Sequence, residues 1–80
     1  MNIQVLLFGI AADLLKSDSL EITVKENCTI YTFKKELLKR HPKLLHIASY
    51  AVAVNETYAD DDVVLKENDV VALIPPVSGG

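Results

Sequence analysis

Eighty residues, with 11 acidic and 8 basic side chains and a net charge of −3, allow one small domain and argue against a phosphate-binding surface. Half of the residues are hydrophobic, enough to fold without staples, and the single cysteine excludes both a disulfide framework and a thiolate metal site. No apolar stretch approaches the roughly 20 residues that span a bilayer. No basic segment precedes an apolar run at the start, where Asn2 and Gln4 interrupt. The expectation is a cytoplasmic protein of one domain, residues 1–80, with neither a membrane nor a nucleic acid among its partners.

The elements read β-α-β-α-β-β. Asn2 to Phe8 alternates as a strand, with Ile3, Val5 and Leu7 on one face and Gln4, Leu6 and Phe8 on the other. Gly9 breaks it, and Ile10 to Lys16 reads as a short helix. Leu20 to Val24 alternates cleanly and is expected as the antiparallel partner of the first strand. Thr29 is a fair N-cap, and Ile30, Phe33, Leu37 and Leu38 share one helical face. Lys39 and Arg40 fall in the last turn, where the helix dipole favours cations, and Pro42 stops the helix. Ala51 to Val54 is a third strand with Val52 and Val54 inward, followed by a turn at Asn55-Glu56. Val70 to Ile74 is the last strand, with Val71 and Leu73 as its core pair. Strands at both ends with one good helix between them give an α+β architecture, a mixed sheet packed on one main helix.

Two features point beyond the core. After the last strand come Pro75, Pro76, Val77, Ser78, Gly79 and Gly80. Two prolines extend the chain away from the body, and two terminal glycines leave a thin tip ending in a bare α-carboxylate. Residues 75–80 therefore read as a flexible tail able to enter a narrow channel, although many terminal glycines mark only fraying. The second feature is the outer sheet face. Strand parity sets Leu6, Phe8 and Ile74 opposite the core pairs, and Tyr58 has no periodic reason for burial. These residues either form a docking patch near the tail root or lie under a loop as ordinary surface hydrophobes.

Catalytic candidates are thin. His41 and His46 flank a helix end with no nucleophile or carboxylate at motif spacing. Cys28 precedes a helix start, but no partner base accompanies it, which favours a buried thiol. Asp60-Asp61-Asp62 lacks the spaced ligands of a calcium loop and reads as a solvated turn, so no metal site is expected.

Val5-Leu6-Leu7-Phe8-Gly9, Ala53-Val54-Asn55-Glu56-Thr57 and the closing Ala72-Leu73-Ile74-Pro75-Pro76-Val77-Ser78-Gly79-Gly80 carry a resemblance. In order and over nearly the whole chain, they resemble the small-subunit family of molybdopterin synthase. The resemblance implies a ubiquitin-like β-grasp fold and a sulfur carrier that binds no cofactor and does not catalyse by itself. Gly80 matches the position that an E1-like enzyme adenylates, consuming ATP, and that is then converted to a thiocarboxylate. The tail is implied to enter the large subunit of a heterotetramer and give sulfur to cyclic pyranopterin monophosphate. Phe8, Tyr58 and Ile74 match an apolar patch used against both partners.

The chemistry suits a free carboxylate. It is ionised at neutral pH, its pKa being about 3.3–3.7, and is a poor electrophile until adenylation supplies a leaving group. Two departures stand out. Ala12-Asp13-Leu14 replaces an Arg-Glu-Leu-type sequence of the first helix, so an ion pair made by that arginine is absent. Tyr58 and Ile74 are not the commonest residues at their positions. A carrier for thiamin thiazole synthesis or tRNA thiolation, a ubiquitin-like modifier, and an interaction domain with an inert tail are the alternative readings.

Overall fold

The computed structural model describes residues 1–47 and 49–76. Val77, Ser78, Gly79 and Gly80, on which most of the tail reading falls, lie outside the described residues.

The first strand, β1 (Asn2–Leu7), alternates exposure and burial as its sequence does, with Ile3, Val5 and Leu7 inward. At Gly9 the backbone turns with φ +54, a left-handed conformation that glycine adopts without a Cβ penalty, and helix α1 (Gly9–Leu15) begins there. Strand β2 (Ser19–Thr23) returns antiparallel to β1, with Ile3 opposite Ile22 and Val5 opposite Leu20. The pairing outlasts the strand by one residue, since the Met1 ammonium donates to the Val24 carbonyl and the Val24 N–H donates to that of Met1.

Helix α2 (Ile30–Arg40) starts where the N-cap expectation put it. The Thr29 hydroxyl accepts from the Thr32 N–H at 3.3 Å. The first two N–H groups of the helix are met from a distant loop: Ile30 donates to the Val63 carbonyl and Tyr31 to that of Asp61. Ile30, Phe33 and Leu37 are buried against the sheet, and Leu38 is partly buried beside them. Pro42 ends the helix and opens a short 3₁₀ turn (Pro42–His46), whose Leu44 fills the end of the core.

Strands β3 (Ala51–Val54), β4 (Thr57–Tyr58) and β5 (Val70–Ile74) complete a five-stranded sheet in the order β2-β1-β5-β3-β4. β5 runs parallel to β1 and antiparallel to β3, so it is hydrogen-bonded on both sides. Val71 and Leu73 point inward with no exposure and meet Ile3, Val5 and Phe33 in one core. This is the expected α+β arrangement, a mixed sheet grasping one main helix.

Three details depart from the sequence reading. Strand and helix ends shift by one residue: β1 stops at Leu7 because Phe8 already caps α1. The 3₁₀ turn was not foreseen, because its single core contact, Leu44, gives no periodic signal. β4 was also missed. Two residues cannot display a period, and only their pairing identifies them, Tyr58 with Ala53 and Thr57 with Val54.

Leu37→Ala is expected to cost roughly 2–5 kcal/mol, since it empties a fully buried site against the sheet. Val52→Ala should cost less, having fewer buried atoms to lose. Urea denaturation followed by circular dichroism measures both.

Candidate docking face and tail root

Among the described residues, no helix covers the outer face of the sheet. One row of residues crosses four strands by register: Leu6 opposite Ala72, Ala72 opposite Ala53, and Ala53 opposite Tyr58. The two central positions are alanines between larger side chains, so the surface sinks there. Leu6, Phe8, Ala53, Tyr58, Ala72 and Ile74 line a depression of ≈ 570 Å³, with Asn55 and Glu56 on its rim. Phe8 is 50% exposed and Tyr58 72%, so both are left largely uncovered by the described residues. Leu6 and Ile74 are half-buried and Ala53 is buried. The structure thus gathers Phe8, Tyr58 and Ile74 around one concavity.

Parity located Leu6, Phe8 and Ile74, and the hairpin located Tyr58. The floor was not singled out in the sequence. Its signal was nonetheless present as the alternation of Ala51-Val52-Ala53-Val54 and Val71-Ala72-Leu73, in which the small residues share the outward parity.

Tyr58 owes its position to a tight hairpin. Asn55 and Glu56 both have positive φ, 48° and 72°, in the two-residue connection between β3 and β4. Two successive left-handed residues match the twist of the flanking strands. Asn55 tolerates that conformation better than most side chains, whereas Glu56 is strained in it.

The strand that supplies Ala72 and Ile74 also leads to the tail. Pro75, half-buried, and Pro76, exposed, follow β5 outside any regular element. The Pro75 ring lies over Gly9, at a distance where a Cβ on residue 9 would be in ordinary van der Waals contact at 3.8 Å. The apolar depression and the root of the tail therefore share one strand end.

The other candidates lie elsewhere. His46 is exposed and His41 half-buried, both around the 3₁₀ turn. Asp60, Asp61 and Asp62 are exposed, and Asp61 pairs with Lys34 at 2.8 Å. Among the described residues no group of His, Cys, Asp or Glu is placed to hold a metal, and no helix is long and apolar enough to cross a membrane. Cys28 is buried, its thiol directed at the Thr29 carbonyl at 3.4 Å. Burial raises its pKa, and the Glu36 carboxylate adds to the rise, so the thiol is not activated.

Five strands in this order around one long helix define a ubiquitin-like β-grasp protein, here with an open apolar outer face that runs into the last strand's exit. Residues 5–80 match the ThiS family. The chain is 35% identical over 81 residues to the molybdopterin synthase sulfur carrier subunit of Arabidopsis thaliana, covering 100% of this chain and 84% of that one. Among solved structures, SAMP1 from Haloferax volcanii superposes with a TM-score of 0.89 at 25% identity, over 100% of both chains. A chain from the complex of subunits 1 and 2 of molybdopterin-converting factor from Helicobacter pylori superposes at 0.72 with 27% identity, again over 100% of both. The chain belongs to the ThiS family.

Two groups make stability fall in alkali. The Cys28 thiol and the Tyr50 phenol both have folded pKa values raised, chiefly by burial. Their contribution is complete below the unfolded pKa and is lost as pH rises through the folded one. Melting temperature should therefore decline from about pH 8.5, where an unfolded thiol ionises, and again near pH 10, where tyrosine does. Cys28→Val should remove the first step and leave the second, as differential scanning calorimetry across that range would record.

Proposed function

We propose that this chain is the sulfur-carrier subunit of a molybdopterin synthase. The observation that carries the reading is the continuity of β5: Ala72 and Ile74 line the apolar depression, and the same strand passes directly into Pro75-Pro76. A partner seated on the face would receive the tail. Full-length similarity to a sulfur carrier subunit, and to a chain from a two-subunit molybdopterin-converting complex, supports the choice of pathway.

In this reading Gly80 is adenylated by an E1-like enzyme. Its carboxylate oxygen attacks the α-phosphorus of ATP and pyrophosphate leaves. A sulfur donor then displaces AMP and leaves a thiocarboxylate. Threaded into the large subunit, the tail presents that sulfur to cyclic pyranopterin monophosphate at high effective concentration. Gly79 and Ser78 keep the tip thin, and Val77, Pro76 and Pro75 stiffen the arm. Phe8, Tyr58 and Ile74 supply the apolar contacts to both partners. The chain works in the cytoplasm, binds no cofactor, contributes no catalytic side chain and assembles with two large subunits and a second carrier as a heterotetramer.

A second reading has one observation in its favour. SAMP1 of Haloferax volcanii is a small archaeal modifier protein, and its backbone superposes about as closely as that of a putative molybdopterin-converting factor subunit 1 from Pyrococcus furiosus. Joined to lysines through Gly80, this chain would be a protein modifier with the same activation step. Mass spectrometry after incubation with the activating enzyme, ATP and a sulfur donor separates the two. Exchange of one oxygen for sulfur supports the carrier, and a covalent adduct with another protein supports the modifier.

Deleting Gly80, or adding residues after it, should abolish sulfur transfer with no change in melting temperature. Normal molybdopterin formation by the truncated chain with purified large subunit would refute the assignment.

Phe8→Ala, Tyr58→Ala and Ile74→Ala should each weaken binding to the large subunit more than they lower stability. Truncating a central anchor costs ~2 kcal/mol or more of affinity, whereas these side chains are exposed or half-exposed in the free chain. Titration calorimetry paired with urea denaturation compares the two losses.

A further inference from the structure

Strand β4 is only two residues long and lies at the sheet edge, yet it carries the most exposed aromatic side chain of the docking face. Its pairing with β3 consists of Ala53 with Tyr58 and Val54 with Thr57. So short an edge strand is expected to fray unless something else ties it down.

The Ala59 N–H, which donates to the Val52 carbonyl at 2.9 Å, holds the far end of β4, and Asn55 supplies the tie at the turn. Its backbone N–H donates to the Val70 carbonyl at 2.8 Å. Its side-chain oxygen accepts from the Val70 N–H at 3.0 Å, and its amide nitrogen donates to Asp69 Oδ1 at 3.0 Å. The other carboxylate oxygen of Asp69 accepts from the Lys66 N–H at 2.8 Å, which fixes the acceptor in turn. One turn residue thus fastens the β3–β4 hairpin to the first residue of β5, the strand that forms the floor of the depression.

We infer that Asn55 is a positioning residue for the docking face: through its side-chain bonds to Val70 and Asp69 it holds the hairpin that presents Tyr58. Asn55 touches the rim, but its contribution to affinity runs through the order of Tyr58. A tyrosine held in place before contact loses less conformational entropy on docking than one on a frayed edge. The inference rests on the proposed docking to the large subunit.

Asn55→Gly tests it, because glycine keeps the positive φ and deletes only the side-chain bonds. Affinity for purified large subunit should fall about fivefold, with amide exchange at Thr57 and Tyr58 accelerated. The deciding measurement is a double-mutant cycle with Tyr58→Ala. If Asn55 acts through Tyr58, the glycine variant has no further effect once the aromatic ring is gone. Additive losses would overturn the inference, as would unchanged affinity. Should Asn55→Gly fail to fold, Asp69→Ala removes the acceptor without touching the turn, and the same cycle applies. Failure of the unmodified chain to bind the large subunit would instead count against the proposed function.

Discussion

Everything in this chain depends on the central placement of β5. Its two neighbours, β1 and β3, are hydrogen-bonded to it in opposite senses, so it has no free edge. Its inward side chains, Val71 and Leu73, are fully buried under α2. Its outward side chains, Ala72 and Ile74, line the depression. The exit of the tail root at Pro75 is thus fixed by a strand paired on both sides. A tail leaving from an edge strand would share that edge's fraying and reach a partner from a variable origin.

An apolar sheet face open to solvent is a liability, because flat apolar strands also template edge-to-edge pairing. Both sheet edges are blunted here. β4 is too short to template a partner. On β2 the Ser17 hydroxyl donates to the Ser19 carbonyl and accepts from its N–H, at one end of the strand. At the other end Arg40, from the last turn of α2, donates to the Thr23 carbonyl at 2.9 Å. Both outward backbone groups of Ser19 and the outward carbonyl of Thr23 are therefore already engaged. The apolar face is left more open to association than these shortened edges, and a face bounded by shape discriminates among partners better than a backbone row does.

The fold was largely legible because its signals are periodic. Ile3-Val5-Leu7, Val71-Leu73 and Ile30-Phe33-Leu37 each display the period of their element, and all are core. Thr29 and Pro42 bounded α2 through the local chemistry of capping and of a missing donor. Parity also reached half of the site, since opposite a buried face lies an outer one. What escaped was non-local. The depression exists because Ala53 and Ala72, far apart in the chain, fall into register between larger neighbours, and a single strand cannot announce its partner's residue. Asn55 likewise read only as a turn residue, for its bonds to Val70 and Asp69 span a loop whose path the sequence does not encode locally.

The size of the face bears on how such a carrier could work. In the proposed cycle the chain meets an activating enzyme and a synthase in succession and presents the same few anchors to each. The two complexes are then mutually exclusive, and transfer from one to the other requires dissociation. An interface with a shallow floor, three principal anchors and a polar rim at Asn55 and Glu56 suits that demand, because its affinity is concentrated in a few contacts that can be lost together. Deepening the depression or extending the apolar face would tighten both complexes and slow release from each. In that cycle the small residues at Ala53 and Ala72 would set how deeply a partner's side chain can seat, and so how readily it can leave.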